Sequence, residues 1–276
     1  MQKSFSLGNY SQKMISMYKM VVLVIFTGIF MVGCGSSGVS LEEDVSTRFA
    51  KGKTYYDEEK YSKAQLEFEY ILMNDPGSRS ALEAGFYLGE VFYNQKKYVE
   101  AVVEFERYIR YSHDLDRIEL ARYRISENIL NMSLEYQLDQ SSTMKAMESL
   151  QEFIEDYPNS EYAVEADASI GVIRDKLAKK LYETARLYLK LEEFEAAHIY
   201  FNDVLIKYYD TDYADEARIG IMFSYILEGQ QQLAIDYLEN NQASFNSSDK
   251  YNEGSQLIDN SKDGRLTFKE YVRLYR

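Results

Sequence analysis

Residues 58–76, EEKYSKAQLEFEYILMNDP, contain the pattern that decides the fold. The pattern returns as QKKYVEAVVEFERYIRYSH at 95–113 and as LEEFEAAHIYFNDVLIKYY at 191–209. Each copy has an aromatic residue, an alanine three residues later and a phenylalanine four residues after the alanine. This spacing places all three side chains on one face of a helix. The small alanine lets a partner helix approach closely, and the aromatic side chains fill the space beside it.

Two weaker copies complete the series, and each copy can be identified by its alanine. The five alanines are Ala64, Ala101, Ala146, Ala197 and Ala234. Gly52 and Gly89 stand twelve residues before the first two alanines and predict a preceding helix. Pro76 and Pro158 stand twelve residues after Ala64 and Ala146, where a helix should end because proline cannot continue it. The repeating unit is therefore predicted to be a helix–turn–helix.

This unit resembles the tetratricopeptide repeat, whose usual length is about 34 residues. The alanine-to-alanine gaps here are 37, 45, 51 and 37 residues, so the array is irregular in its centre. We expect an enlarged turn around 136–143 and one long helix over 161–190. The predicted fold is an all-α, tetratricopeptide-like α-solenoid of five helical pairs over 45–241. The alternative is an ordinary irregular helical bundle.

The charge balance limits the classes of partner. Acidic residues number 45 against 31 lysines and arginines, which gives a net charge of −14. Nucleic acid is not an expected partner, because phosphate binding needs a positive surface. The single cysteine, Cys34, excludes an internal disulfide.

The first 33 residues have the layout of a secretory signal peptide. Three lysines and no acidic residue accompany an apolar run, MVVLVIFTGIFMV, at 20–32. The following Met31-Val32-Gly33-Cys34 resembles the lipobox of bacterial lipoproteins, in which the cysteine after the cleavage site receives lipid. That resemblance implies an acylated Cys34, a lipidated tether at 34–44 and, because Gly35 is not aspartate, sorting to the outer membrane. The alternative is a plain signal peptide or short anchor helix.

Catalytic chemistry is not indicated. Neither His113 nor His198 has a cysteine or a second histidine near it in a metal or nucleophile motif. Phosphate loops and nucleophile elbows are also missing from the sequence. We therefore predict a protein that is not an enzyme and needs no cofactor.

One basic cluster stands out against the acidic background. Its members are Arg107, Arg110, Arg117, Arg122 and Arg124. Arginine suits bidentate recognition of carboxylates, including a chain terminus. The alternative is a solvated face on which these arginines pair with local acids such as Asp114, Asp116 and Glu119.

Residues 259–270, DNSKDGRLTFKE, match the twelve-residue loop of an EF-hand. The oxygen ligands for calcium would be Asp259, Ser261, Asp263, the carbonyl of Arg265, Thr267 and Glu270. The incoming segment KYNEGSQLI is predicted to be a poor helix, so 242–276 is expected to be a flexible tail that carries this loop. The alternative is an acidic turn that binds no metal.

Over roughly residues 45–240 the chain resembles the BamD/ComL family of outer-membrane β-barrel assembly lipoproteins. The segment YPNSEYAVEADASIGVIRDKLAKKLYETARLYLK at 157–190 looks like that family's junction of the third and fourth repeats, and ERYIRY at 106–111 looks like its second repeat. The resemblance carries a substrate-binding role over to Arg107 and Arg110.

The same resemblance implies a periplasmic, lipid-anchored scaffold at the outer membrane. Its N-terminal half would bind unfolded barrel precursors, and its C-terminal half would dock on a POTRA domain of the barrel-forming subunit. Two other interpretations stay open. One is a repeat lipoprotein that scaffolds cell-wall enzymes or Tol–Pal components, and the other is a calcium-regulated adaptor.

Overall fold

The structure, a computed structural model, describes residues 44–261. Helices alone form the regular structure of this part of the chain, with no strand, which confirms the all-α class. The α-helices are α1 (Val45–Asp57), α2 (Tyr61–Asn74), α3 (Arg79–Asn94), α4 (Tyr98–Tyr111), α5 (Leu115–Asn131), α6 (Ser141–Asp156), α7 (Ala163–Lys190), α8 (Phe194–Lys207), α9 (Asp212–Leu227), α10 (Gln231–Asn240) and α11 (Ser248–Ser261). A short 3₁₀ helix, η1 (Gln242–Ser244), precedes α11. The predicted signal peptide at 1–33 and Cys34 lie outside the described residues, as does nearly all of the tether.

The first ten helices follow one another as five helix–turn–helix units, and their contacts are those that the repeat pattern predicts. All five pattern alanines are fully buried, with 0% exposure. At Gly52 an added Cβ would lie 2.7 Å from the Phe68 ring, and at Gly89 it would lie 2.9 Å from the Phe105 ring. Only glycine lets the first helix approach the phenylalanine of the second this closely.

Four of the five turns within these units contain a residue with a positive φ angle. Glu59, Lys96, Glu192 and Gly229 have positive φ angles of 58°, 60°, 62° and 75°, and each stands five residues before its unit's alanine. A left-handed residue at this point reverses the chain within a few residues. The third unit has no such positive-φ residue, because its turn is longer and nine residues, 132–140, join α5 to α6.

The irregular centre consists of this enlarged turn and the 28-residue helix α7. The prediction of one long helix over 161–190 is confirmed. The N-terminal half of α7 packs into a core with α6, and its C-terminal half packs into the core shared with α8 and α9. Its lysines hold the turn, since Lys176 Nζ donates to Ser133 Oγ at 2.9 Å and Lys180 Nζ donates to the Leu138 carbonyl at 2.6 Å.

The chain continues as folded structure past the predicted boundary at 241. Leu257 and Ile258 of α11 are each 6% exposed and join the core formed by α7 to α10. The buried Asp215 carboxylate accepts hydrogen bonds from the backbone N–H groups of Asn246 and Ser247 at 3.0 and 2.9 Å. The prediction of a flexible tail is therefore wrong for 242–261, because η1 and α11 bury apolar surface and are pinned by Asp215.

Polar contacts also join the first helices of successive units. Tyr56 of α1 donates to Glu90 of α3 at 3.2 Å, and Arg124 of α5 donates to the same carboxylate at 2.9 Å. Each step spans 34 residues. The buried Glu90 thus couples the first three units.

Candidate functional site

Three of the five clustered arginines are engaged by acids of the chain itself. Arg107 pairs with Glu104 of the same helix. Arg117 of α5 pairs with Glu83 of α3, the first helix of the preceding unit. Arg124 lies between Glu90 at 2.9 Å and Glu127 at 2.6 Å. The alternative of local ion pairing therefore holds only in part, because Glu104 and Glu127 are local whereas Glu83 and Glu90 lie on another helix.

The pairing around Glu90 is a structural network. Burial raises the pKa of the Glu90 carboxyl, while the Arg124 guanidinium and the Tyr56 hydroxyl oppose that rise. Burial, together with the neighbouring Glu90 charge, also raises the pKa of Tyr56. Because its carboxylate already receives two donors from the chain, Glu90 is not available to a ligand.

Arg110 and Arg122 differ from the other three arginines. Both side chains are exposed, and neither forms an ion pair with any residue of 44–261. Arg110 projects from α4 and Arg122 from α5, and both line one cleft of about 420 Å³ between α4, α5 and α6. The fold therefore brings together two guanidinium groups that the chain does not neutralise by direct pairing.

The rest of the cleft lining combines apolar and acidic groups. Its apolar residues are Ile109, Ile125, Phe153 and Tyr157. Glu106, Glu152 and Asp156 add negative charge, and Ser149 adds a hydroxyl. Such a lining suits an extended peptide, because apolar side chains can occupy the aromatic and aliphatic wall while the two arginines receive a carboxylate.

The predicted site residues have different outcomes in the structure. Arg110 lines the cleft, whereas Arg107 lies outside its lining and is held by Glu104. Arg122 was one member of the arginine cluster, but its place opposite Arg110 could not be read from the sequence. The clustering of positive charge was the only sign of this site in the sequence, because no sequence pattern shows which arginines lack an acidic partner.

The EF-hand-like segment is only partly described. Asp259 and Ser261 lie in the last turn of α11, and the other predicted ligands, Asp263, Arg265, Thr267 and Glu270, lie outside the described residues. Ser261 is 1% exposed, and its hydroxyl donates to the Ile258 carbonyl at 2.8 Å and accepts from Gln231 at 3.2 Å. The incoming segment is helical, contrary to the prediction, and Ser261 would have to leave this position to bind calcium.

Residues 44–261 contain neither a metal-binding cluster nor a membrane-spanning helix. No cluster of three or more His, Cys, Asp or Glu side chains could hold a metal ion there. Within the same range, no helix combines the length and apolar character needed to cross a membrane.

Comparison with known proteins shows the family. A family model described as YfiO, outer membrane lipoprotein, matches residues 42–244, which is most of the chain. This chain belongs to the YfiO outer membrane lipoprotein family. The resemblance found in the sequence is thereby confirmed.

Individual relatives agree with this membership. The outer membrane protein assembly factor BamD of Rickettsia prowazekii is 25% identical over 221 residues, which cover 79% of this chain and 88% of the relative. The factor of the same name from Neisseria meningitidis serogroup A is 21% identical over 235 residues, with the same coverage. BamD of Caulobacter vibrioides is 32% identical over 96 residues, 35% of this chain and 32% of the relative. A similarity to the crystal structure of MamA protein covers 81% of this chain and 97% of that chain, at 14% sequence identity and a TM-score of 0.32.

Proposed function

We propose that this protein is an assembly factor for outer-membrane β-barrel proteins, anchored by lipid at the periplasmic face of the outer membrane. Membership of the YfiO family carries the proposal, and the relatives named as outer membrane protein assembly factor BamD support it. The described helices offer binding surfaces and no catalytic constellation, which suits a scaffold that acts by binding.

The substrate would be the C-terminal segment of an unfolded barrel precursor. Its terminal carboxylate would bind between Arg110 and Arg122, and its alternating apolar side chains would lie against Ile109, Ile125 and Phe153. Arg107 stays a predicted contributor, but its engagement with Glu104 makes Arg122 the better partner for Arg110. The unpaired state of the two cleft arginines is the observation that favours this site.

The C-terminal half, from α7 onward, would dock on a POTRA domain of the barrel-forming subunit. Cys34 would carry the lipid. Mass spectrometry of the mature protein should find an acylated cysteine at its N-terminus, and an unmodified Cys34 or cleavage elsewhere would reject this anchor.

The substrate site is tested with a synthetic peptide that copies the last twelve residues of a barrel precursor from the same organism. Replacing Arg110 or Arg122 with glutamine should weaken peptide binding by roughly 10–100-fold, since a hydrogen bond to a charged group contributes about 1.5–3 kcal/mol. Lys145→Gln removes the same charge from an exposed position of α6 outside the cleft and serves as the control. The same peptide with an amidated C-terminus should bind weakly and be insensitive to either arginine replacement.

Equal binding of the acid and amide peptides would refute the carboxylate site. A scaffold for cell-wall or Tol–Pal components is the alternative function, and purification of the lipid-anchored protein from its own membranes separates the two. Copurification of a barrel protein with POTRA domains supports the assembly role. Recovery of cell-wall or Tol–Pal proteins without it would overturn that role.

A further inference from the structure

Met73 and Leu115 are the most exposed large apolar side chains of α1 to α5, at 75% and 76% exposure. Met73 lies in the last turn of α2 and Leu115 begins α5, so both stand beside the turns that join successive units. Tyr111, which ends α4, is 63% exposed. Burial within residues 44–261 therefore does not explain why these three positions are apolar.

The three side chains share one edge of the helical stack, which we call the apolar edge: Met73, Tyr111 and Leu115. Successive helices pack against one another and reverse direction at each short turn, so the ends of α2 and α4 lie beside the starts of α3 and α5. The ion pair between Glu83 of α3 and Arg117 of α5 shows that the starts of these two helices are adjacent.

The opposite edge of the same units is polar in its turns. Residues 57–60 read DEEK and residues 94–97 read NQKK, without one apolar side chain. Among the turns of the first two units, apolar exposure is therefore confined to one edge. Apolar side chains that protrude together from a polar surface are typical of a contact with another molecule or a membrane.

The chain enters the fold at the apolar edge. Arg48, in the first turn of α1, pairs with Glu67 at 2.9 Å, and its guanidinium carbon lies 3.8 Å from the centre of the Tyr70 ring near the end of α2. Ten residues separate Cys34 from Val45, where α1 begins, and an extended chain of this length spans at most about 40 Å. Lipid on Cys34 would hold a bilayer within that distance of the start of α1. To present the opposite edge, the chain would also have to run back along the roughly 20 Å of α1.

The composition of the apolar edge indicates which membrane surface it fits. Its two turns, 75–78 and 112–114, carry Asp75, His113 and Asp114 and neither lysine nor arginine. Anionic lipid headgroups attract basic segments and repel acidic ones, so zwitterionic headgroups are the better match. Leucine and methionine gain affinity by burying apolar area among the headgroups, and tyrosine is favoured at the same depth.

We infer that the apolar edge lies in the headgroup region of the zwitterionic phospholipid layer to which Cys34 anchors the chain. The inference rests on the lipid anchor proposed above and adds which edge of the fold faces the membrane. Because this edge consists of helix ends, the helices of the first units stand upright on the membrane. The apolar edge shares no residue with the cleft of Arg110 and Arg122.

The test uses the full mature lipidated chain on vesicles of phosphatidylcholine and phosphatidylethanolamine. Lipidation occupies the only cysteine of the chain, so one introduced cysteine is the single site for an environment-sensitive fluorophore. Met73→Cys and Leu115→Cys report on the apolar edge. Asp57→Cys and Glu100→Cys are matched controls at exposed positions of the opposite edge. Nitroxide-labelled lipids should quench most of the fluorescence of the first pair and leave that of the second pair unchanged.

A second measurement separates the contribution of the side chains from that of the fluorophore. The label is placed at Tyr111→Cys, and Met73→Glu is combined with Leu115→Glu. The ratio of quenched to unquenched label should fall about tenfold or more, because two apolar anchors are replaced by charges. Leu66→Glu with Val99→Glu makes the same change at 67% and 60% exposed positions outside the apolar edge and should leave the ratio unchanged. Thermal unfolding of both double variants should match that of the wild type, since all four side chains are exposed.

The outcomes distinguish failure of the anchor from failure of the inference. A chain that does not sediment with the vesicles would refute the anchor and overturn the inference with it. A chain that sediments with them but is quenched equally at both edges, or is quenched as before in the Met73→Glu and Leu115→Glu variant, would overturn the inference alone. Shielding of the labels at 73 and 115 without vesicles, rising with protein concentration, would assign the edge to a second copy of the chain and would also overturn it.

Discussion

Replacing Gly220 with alanine should destabilise the protein, although alanine is the better helix former. Gly220 lies in α9 against the fully buried ring of Phe201, and an added Cβ would come within 2.4, 2.6 and 2.8 Å of three ring atoms. The ring cannot retreat freely, because Tyr182 packs on it with ring centroids 5.9 Å apart. Overpacking a core by one methyl group typically costs about 1–3 kcal/mol. We take the upper value for this contact, since all three distances are below van der Waals contact.

The gain in helix propensity offsets about 1 kcal/mol of that cost, which leaves a net loss of about 2 kcal/mol. Gly171→Ala is the matched control, because it makes the same chemical change at a helical position that is open to solvent. The control should gain about 0.5–1 kcal/mol. Urea unfolding followed by circular dichroism measures both free energies. A Gly220→Ala variant as stable as the wild type would show that the close contact between α8 and α9 is wrong.

Four further outcomes follow from single positions. Ala101→Leu should cost about 1–3 kcal/mol by overpacking the contact between α3 and α4, and an unchanged melting temperature would contradict the repeat register. Asp215→Asn should cost about 3–5 kcal/mol, because it leaves the buried guanidinium of Arg218 unpaired, and hydrogen exchange should show α11 losing protection first. Burial lowers the pKa of His198 below its usual 6.5, so the unfolded chain takes up this proton at a higher pH than the folded protein does. The free energy of unfolding should therefore fall as pH drops below 6.5, and His198→Gln should remove that fall in acid unfolding curves. Calorimetry should detect calcium binding with a dissociation constant no tighter than about 10⁻³ M, because the last turn of α11 must open first. Glu270→Gln should abolish this binding, and an absence of heat from the wild type would show that the segment is not a calcium site.

The repeat register was predictable because its determinants are local. An aromatic residue, an alanine and a phenylalanine within eight residues specify which face is buried in three of the second helices. The two weaker copies keep the alanine and have a leucine four residues later, and the structure buries all five alanines. Gly52 and Gly89 were recognisable for the same reason, as each contacts a phenylalanine sixteen residues later in its own unit. Spacing between residues that are close in the sequence was therefore enough to predict which helices pair within a unit.

The arginine cleft was not predictable at the level of individual residues. Arg117 and Arg124 pair with acids 34 residues earlier, and those partners are set by the stacking of one unit on the next. The local acids that the sequence suggests account for only part of this pairing, since Asp114 lies 3.8 Å from Arg117. Which arginines remain for a ligand depends on that stacking, so Arg110 and Arg122 could be separated from the rest only in three dimensions.

The stacking also explains why the predicted repeat domain ended one helix early. The 34-residue spacing of Tyr56, Glu90 and Arg124 returns in the C-terminal half, where Tyr182 and Lys250 both contact Glu216. Lys250 belongs to α11, so α11 takes the place of the first helix of a following unit.

Gly254 of α11 accordingly faces Met222 and Leu238 of the last pair, as a stacked first helix should. A repeat array exposes the apolar face of its terminal unit unless another element covers it. The alanine pattern lies on the second helix of each pair, so it identifies complete pairs. A single covering helix has no second helix after it and therefore does not show the pattern. In this chain α11 is that cover, and Asp215 fixes where it begins.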